Sequence, residues 1–296
     1  MAGITDLPPE LHLHILSYLP LSALIAARNT CRHWRHLTPL APLPLIRRKL
    51  LSLYDTLCTI PAFQMSRRMA QASIRADFGD AERRSYLAAL PRDTGDEFAT
   101  WILEWPADAV VASLWPALDP AYNMGSAVFP HRRDIGNRMP TPGYAPATHT
   151  LELSLYAGHG AGPAHVVALP LLDEGNCWTH WVVLAGEQEL SDVGGAKRRV
   201  DLRGTVFSKI RGADGDDGYA EFLESPSPLD CRSCVIACPS THPAATAPCL
   251  AGPLLCPAGP DTWGPWLRYL EQETRKLQTS MEESGAWCGC VGCRSA

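Results

Sequence analysis

The sequence predicts an α+β protein: three short helices at the front, a helical segment behind them, and a mostly antiparallel sheet domain with flanking helices. Apolar residues recur at helical spacing in the stretch from Pro8 to Leu37 and again from about residue 62 to 118. From His149 the period drops to two, with Leu151, Leu153 and Leu155 on one side. Helical spacing then returns in "WGPWLRYLEQETRKLQTSM" near the end of the chain.

Residues 7–37, "LPPELHLHILSYLPLSALIAARNTCRHWRHL", justify the first three helices. Pro8 and Pro9 fix φ where a helix begins, and Glu10 follows in the first turn, where the helix dipole favours a carboxylate. Leu11, Ile15 and Leu19 recur at i, i+4 and i+8 with Leu16 beside them, and Pro20 stops the run. Ser22 is the expected cap of a second helix through Leu24 and Ile25. Asn29 or Thr30 is the expected cap of a third, carrying Cys31, Trp34 and Leu37. His12 and His14 are two apart, so they lie on different faces, cannot chelate together and read as surface residues. Units below about 40 residues bury too little to stand alone. The apolar surface must therefore be covered, either by the rest of the chain or by a partner that takes up a helix in a groove.

The order Leu7-Pro8-x-Glu10-Leu11, Ile15, Tyr18-Leu19, Leu24, then Cys31-Arg32-x-Trp34-Arg35-x-Leu37 resembles the F-box motif over residues 4–45. The departure is Ser22-Ala23, where that family often has an acidic residue before the leucine. The resemblance implies a three-helix unit that docks on the Skp-type adaptor of SCF (Skp, cullin, F-box) ubiquitin ligases. The adaptor-facing residues would be Leu7, Pro8, Leu11, Ile15, Leu19, Leu24, Cys31 and Trp34. It implies a substrate receptor that is not itself an enzyme, linked through the adaptor to a cullin and selecting an unknown target protein. A regulatory scaffold acting outside ubiquitylation is the alternative, and a zinc-dependent binding module is another.

Behind this unit, Pro39, Pro42 and Pro44 precede a basic turn, and residues 46–61 read as a linker. Residues 62–290 read as an α+β recognition domain. Tyr86, Leu87 and Leu90 form one apolar cluster; Phe98, Trp101, Ile102 and Trp105 form another at i, i+3, i+4 and i+7. Residues 119–148 are rich in proline and read as an irregular loop. "HTLELSLYA", "AHVVALPLL", "CWTHWVVLAG" and "VDLRGTVFSKI" are β-branched and aromatic runs that predict a sheet of about four or more strands. "YAEFLES" reads as a return to helix, and residues 230–260 as an irregular segment rich in cysteine and proline. The order of parts over residues 85–225 resembles the Smi/Knr-type SUKH fold. Fungal proteins that join an F-box to such a region are the relatives this implies.

With 26 basic and 31 acidic residues the net charge is −5, which gives no electrostatic argument for nucleic acid or an anionic membrane. The first 50 residues run the other way, at +4, which suits an acidic protein partner. No apolar run reaches the roughly 18 residues of a membrane span. Asp6 and Glu10 spoil a signal peptide, so an intracellular protein, cytoplasmic or nuclear, is expected. Eleven cysteines, an odd number, then read as reduced thiols or metal ligands. Cys231-x2-Cys234 with Cys288, Cys290 and Cys293 has zinc-knuckle spacing, and Cys238, His242, Cys249 and Cys256 are further donors. The surrounding Pro- and Ala-rich sequence is unlike a metal cradle, so free thiols are expected and no cofactor. Cys293-Arg294-Ser295-Ala296 matches the prenylation pattern in form, although Arg294 and Ser295 are not aliphatic.

Gly158, Gly160 and Gly162 precede a β run where a phosphate loop needs a helix, so they read as a hairpin turn. Asp214, Asp216 and Asp217 are followed by Gly218 and Ser225 where calcium-loop spacing needs ligands. His159, His165 and His180 accompany Asp173 and Asp192 without a nucleophile motif to give them a catalytic role.

Overall fold

The structure, a computed structural model, describes residues 7–111, 113–119, 135–139, 148–153, 164–174, 178–191, 197–210, 220–222 and 265–283. Proline sets the helix starts. α1 (Pro9–Tyr18) and α5 (Pro61–Ser73) each begin on a proline, whose missing N–H would have had no partner there. α2 (Leu21–Thr30) comes after α1 across the extended pair Leu19-Pro20, and α3 (Arg32–Leu37) runs into a 3-10 turn (Thr38–Leu40). Neither expected cap operates. Pro20 holds the N-cap position of α2, ahead of Ser22, while the Thr30 hydroxyl turns back to the Ala27 carbonyl and Cys31 occupies the N-cap of α3.

Residues 46–61, expected as a linker, are instead covered almost entirely by α4 (Leu45–Thr59). Its Leu50, Leu53 and Leu57 are at most 2 % exposed, so the segment is core and no hinge separates the first three helices from the later ones. α6 (Asp80–Ala88) carries Tyr86 and Leu87 and α7 (Asp96–Glu104) carries Phe98, Trp101 and Ile102 of the two predicted apolar clusters, with Leu90 and Trp105 just past the helix ends.

The remaining elements form an antiparallel sheet of seven strands: β1 (Ile135–Asn137), β2 (His149–Leu153), β3 (Ala164–Glu174), β4 (Trp178–Ser191), β5 (Lys197–Asp201), β6 (Val206–Ile210) and β7 (Ala220–Phe222). The order is β1-β3-β4-β6-β7, with β2 also paired to β3 and β5 to β4. Two expectations change here. β1 lies within the segment read as irregular, and "YAEFLES" contributes β7, whose Phe222 pairs with Phe207, because three residues on a sheet edge gain a ladder that one isolated helical turn lacks. Pro170 sits centrally in β3, at a register shift against β4, where a missing donor is tolerated. Gly186 in β4 has φ of +148°, and a Cβ there would stand 2.8 Å from Val166 Cγ1, so only glycine fits.

α8 (Pro265–Glu283) packs between the sheet and the helices. Tyr269 Oη lies 2.8 Å from His180 Nδ1 of β4, and Trp266 meets Phe98 and Trp101 of α7 with ring centroids 4.9 and 5.0 Å apart. Trp115 extends this aromatic core, at 5.2 Å from Trp101 and 5.9 Å from Phe78.

Carboxylates of α7 tie the layers together. Glu97, in its first turn, accepts the Leu267 N–H at the start of α8 (3.2 Å). Glu104, its last residue, accepts the Leu21 N–H at the start of α2 (3.0 Å) and takes a two-pronged ion pair from Arg47 of α4 (both 2.7 Å). The first N–H groups of a helix have no partner inside it, so each glutamate completes a neighbouring helix. Arg28 of α2 pairs with Asp55 of α4, and the carboxylate holds the guanidinium above its ordinary pKa against partial burial.

Glu104→Ala leaves Arg47 and the α2 N-terminus without their acceptor, and with Glu104 14 % exposed the expected loss is about 2 kcal/mol in a denaturant titration. The Arg199–Glu187 pair, 77 % and 61 % exposed, is expected to contribute under about 0.5 kcal/mol by the same measurement. Burial holds the Tyr86 phenol above its usual range, so its stabilising effect is complete below pH about 10 and is lost as the pH rises beyond it. Unfolding monitored from pH about 9 to 11 should therefore show a smaller loss of stability in Tyr86→Phe than in the wild type.

Candidate functional site

α1 has two apolar faces. Its inner face sets His12 (1 % exposed) and Leu16 (0 %) against the interior. A helix turns 100° per residue, so Leu11, Ile15 and Tyr18 fall within one narrow stripe on a separate face, and Leu7 lies in the extended residues just ahead of the helix. Leu11 is 47 % exposed and Tyr18 72 %, while Leu7 and Ile15 are half-buried. An apolar stripe left open on a helix that already has a buried face is unusual in an isolated globular chain. It has the spacing of anchors that enter a partner's groove.

α3 stands next to this helix through an aromatic contact. His12 Nδ1 is 3.0 Å from His33 Nε2, and the His12 ring lies 5.5 Å from that of Trp34. His12 is therefore a packing residue, contrary to its surface assignment. His14 is the exposed one, edge-on to Tyr18 at 4.9 Å.

The residues expected to face a partner divide accordingly. Leu7, Pro8, Leu11 and Cys31 are at least partly accessible; Ile15 and Leu19 are half-buried. Trp34 is also half-buried, packed on the core and on His12. Leu24 is fully buried with Leu21 and Leu16, so its expected place on a docking surface is corrected to the chain's own core. Tyr18 and Leu40, 72 % and 69 % exposed, are not among the expected contacts. For Tyr18 the signal is present, because it is seven residues after Leu11. Leu40 owes its exposure to the 3-10 turn, which periodicity does not reveal.

Other candidates do not assemble. His180 is buried against Tyr269, and His165 is exposed at the far end of β3. Among the described residues no group of three or more His, Cys, Asp or Glu is placed to hold a metal ion, and no helix is long and apolar enough to cross a membrane. Cys31 and Cys58 carry free thiols. Cys231, Cys234, Cys238, Cys249, Cys256, Cys288, Cys290 and Cys293 lie outside the described residues, as do His159, Asp192, the glycines at 158–162 and the aspartates at 214–217.

A helical unit with an open apolar stripe defines a protein–protein docking module. Residues 4–40 match the family described as F-box-like, so the chain carries an F-box-like segment, and the match spans the three helices and the turn after them. Comparison with curated proteins and with solved structures returns no match.

The two histidines of α1 separate packing from surface. His12→Ala is expected to cost about 2 kcal/mol by thermal or denaturant unfolding, whereas His14→Ala should stay within about 0.5 kcal/mol of wild type.

Proposed function

We propose that this protein is a substrate receptor of an SCF-type ubiquitin ligase. The outer face of α1, with the exposed part of α3, docks on a Skp-type adaptor, and the α+β region presents a target protein. The observation that carries this reading is the coincidence of the F-box-like match with the open stripe of α1, exposed at Leu11 and Tyr18 and half-buried at Ile15, with half-buried Leu7 just ahead of the helix. The net positive charge of the first 50 residues, in a chain of −5 overall, favours an acidic surface on the adaptor. The receptor performs no chemistry. It raises the effective concentration of a target lysine near a ubiquitin-charged enzyme, so that transfer becomes nearly intramolecular.

The core shared by α2, α4 and α7 gives this role a mechanical basis. Adaptor and target would be held at a fixed separation, because Glu104 and Arg47 join the docking helices to the recognition region.

The test is co-purification of the full chain with a Skp-type adaptor and a cullin. Leu11→Asp places a charge in the middle of the stripe at a site 47 % exposed, so it is expected to abolish adaptor capture while leaving the melting temperature within about 2 °C of wild type. Trp34→Ala also lowers binding, but it removes packing against His12 and loses stability as well. Adaptor capture that survives Leu11→Asp refutes the docking face. Capture of the adaptor without a cullin replaces the ligase reading with a regulatory scaffold.

A further inference from the structure

Arg83 of α6 is a cation in the aromatic interior, 8 % exposed. One of its terminal nitrogens donates to the Ile102, Leu103 and Trp105 carbonyls at 3.3, 3.2 and 2.8 Å, closing the C-terminal end of α7. The guanidinium carbon lies 4.9 Å from the centre of the Trp115 ring and 5.9 Å from that of Phe78. Burial lowers the pKa of the group, and the carboxylate that opposes this is Asp80, in the exposed first turn of the same helix. Among the described residues Arg83 makes no ion pair.

Further buried donors lie in the same aromatic interior. The Arg83 Nε–H, the Tyr86 hydroxyl and the indole N–H groups of Trp101, Trp115 and Trp266 have no hydrogen-bond acceptor among the described residues. These side chains form one connected network: Phe78 touches Tyr86 and Trp115 at 6.1 and 5.9 Å, and Trp101 touches Trp115 and Trp266 at 5.2 and 5.0 Å. Indole and guanidinium nitrogens donate and never accept, and the Tyr86 hydroxyl, which can accept, takes no hydrogen bond from any of them. Edge-on rings let an indole N–H lie over a neighbouring face, but that contact is weak and supplies no counter-charge beyond the ring quadrupole. The α7 carbonyls and the Trp115 face offset part of the Arg83 charge. An acceptor that is also negative and compact completes both the charge and the hydrogen bonds.

We propose that this interior binds a small monoanion of the halide class, seated on the Arg83 Nε–H and the Tyr86 hydroxyl beside the indole edges of Trp101 and Trp115. The anion ties α6 to the C-terminal end of α7. This site is independent of the docking face and stands whether or not an adaptor binds.

The experiment tracks the melting temperature of the full chain at fixed ionic strength as gluconate, too bulky to enter, is replaced by chloride and separately by bromide. The wild type is expected to gain stability with halide and to level off, as ligand linkage requires. Tyr86→Phe keeps the ring and should fold, with the half-saturating chloride concentration raised about tenfold, as loss of one buried hydrogen bond predicts. Arg83→Lys lacks the Nε–H and should lose the halide response. No halide response in the wild type means that internal waters satisfy the donors, and it overturns the proposal. A response of equal midpoint in wild type and Tyr86→Phe assigns the effect to surface ions and overturns it too.

Discussion

The structure depends on the carboxylate of Glu104. It stands at the C-terminal end of α7, where the helix dipole disfavours a negative charge, and it is kept there by Arg47 and by the N–H of Leu21. One side chain thus closes the start of α2, fixes α4 and anchors the end of α7. Glu97 does the same at the other end of that helix for α8. A nine-residue helix is too short to be stable alone, and α7 persists because aromatic packing and these shared caps make it the centre to which three other helices are fitted.

α1 carries two incompatible demands on one short element. Its inner face must pack, and its outer face is left for another surface. The demands are reconciled by residue type. His12 and Leu16 point inward, where His12 keeps a hydrogen bond to His33, while the outer side uses residues that tolerate partial hydration, Tyr18 above all. The helix is held by its neighbours and does not need its outer face to fold.

Much of this is legible in the sequence, and the exceptions share a cause. Proline placement locates α1, apolar spacing locates α6 and α7, alternation locates β2, and β-branched and aromatic runs locate β3 and β4, because these signals are local. The linker assignment at 46–61 fails because Pro39, Pro42 and Pro44 suggest an open connection and outweigh the Leu50, Leu53 and Leu57 face of α4. The cap of α2 is invisible, since its acceptor lies 83 residues away. The docking surface is half legible: Leu7, Leu11 and Ile15 are expected, but periodicity alone does not show that Leu24 packs inward or that His12 is a core residue. Fungal origin and the SUKH likeness rest on the resemblance alone.

The long reach of the α7 caps bears on synthesis. Residues 7–40 leave the ribosome well before Glu104 is made, and α7 itself waits for a partner 170 residues further along the chain. Until then α1 and α2 expose both the stripe meant for a partner and the leucines meant for the core. The nascent chain therefore passes through a long interval in which chaperones compete with premature self-association for the same surface.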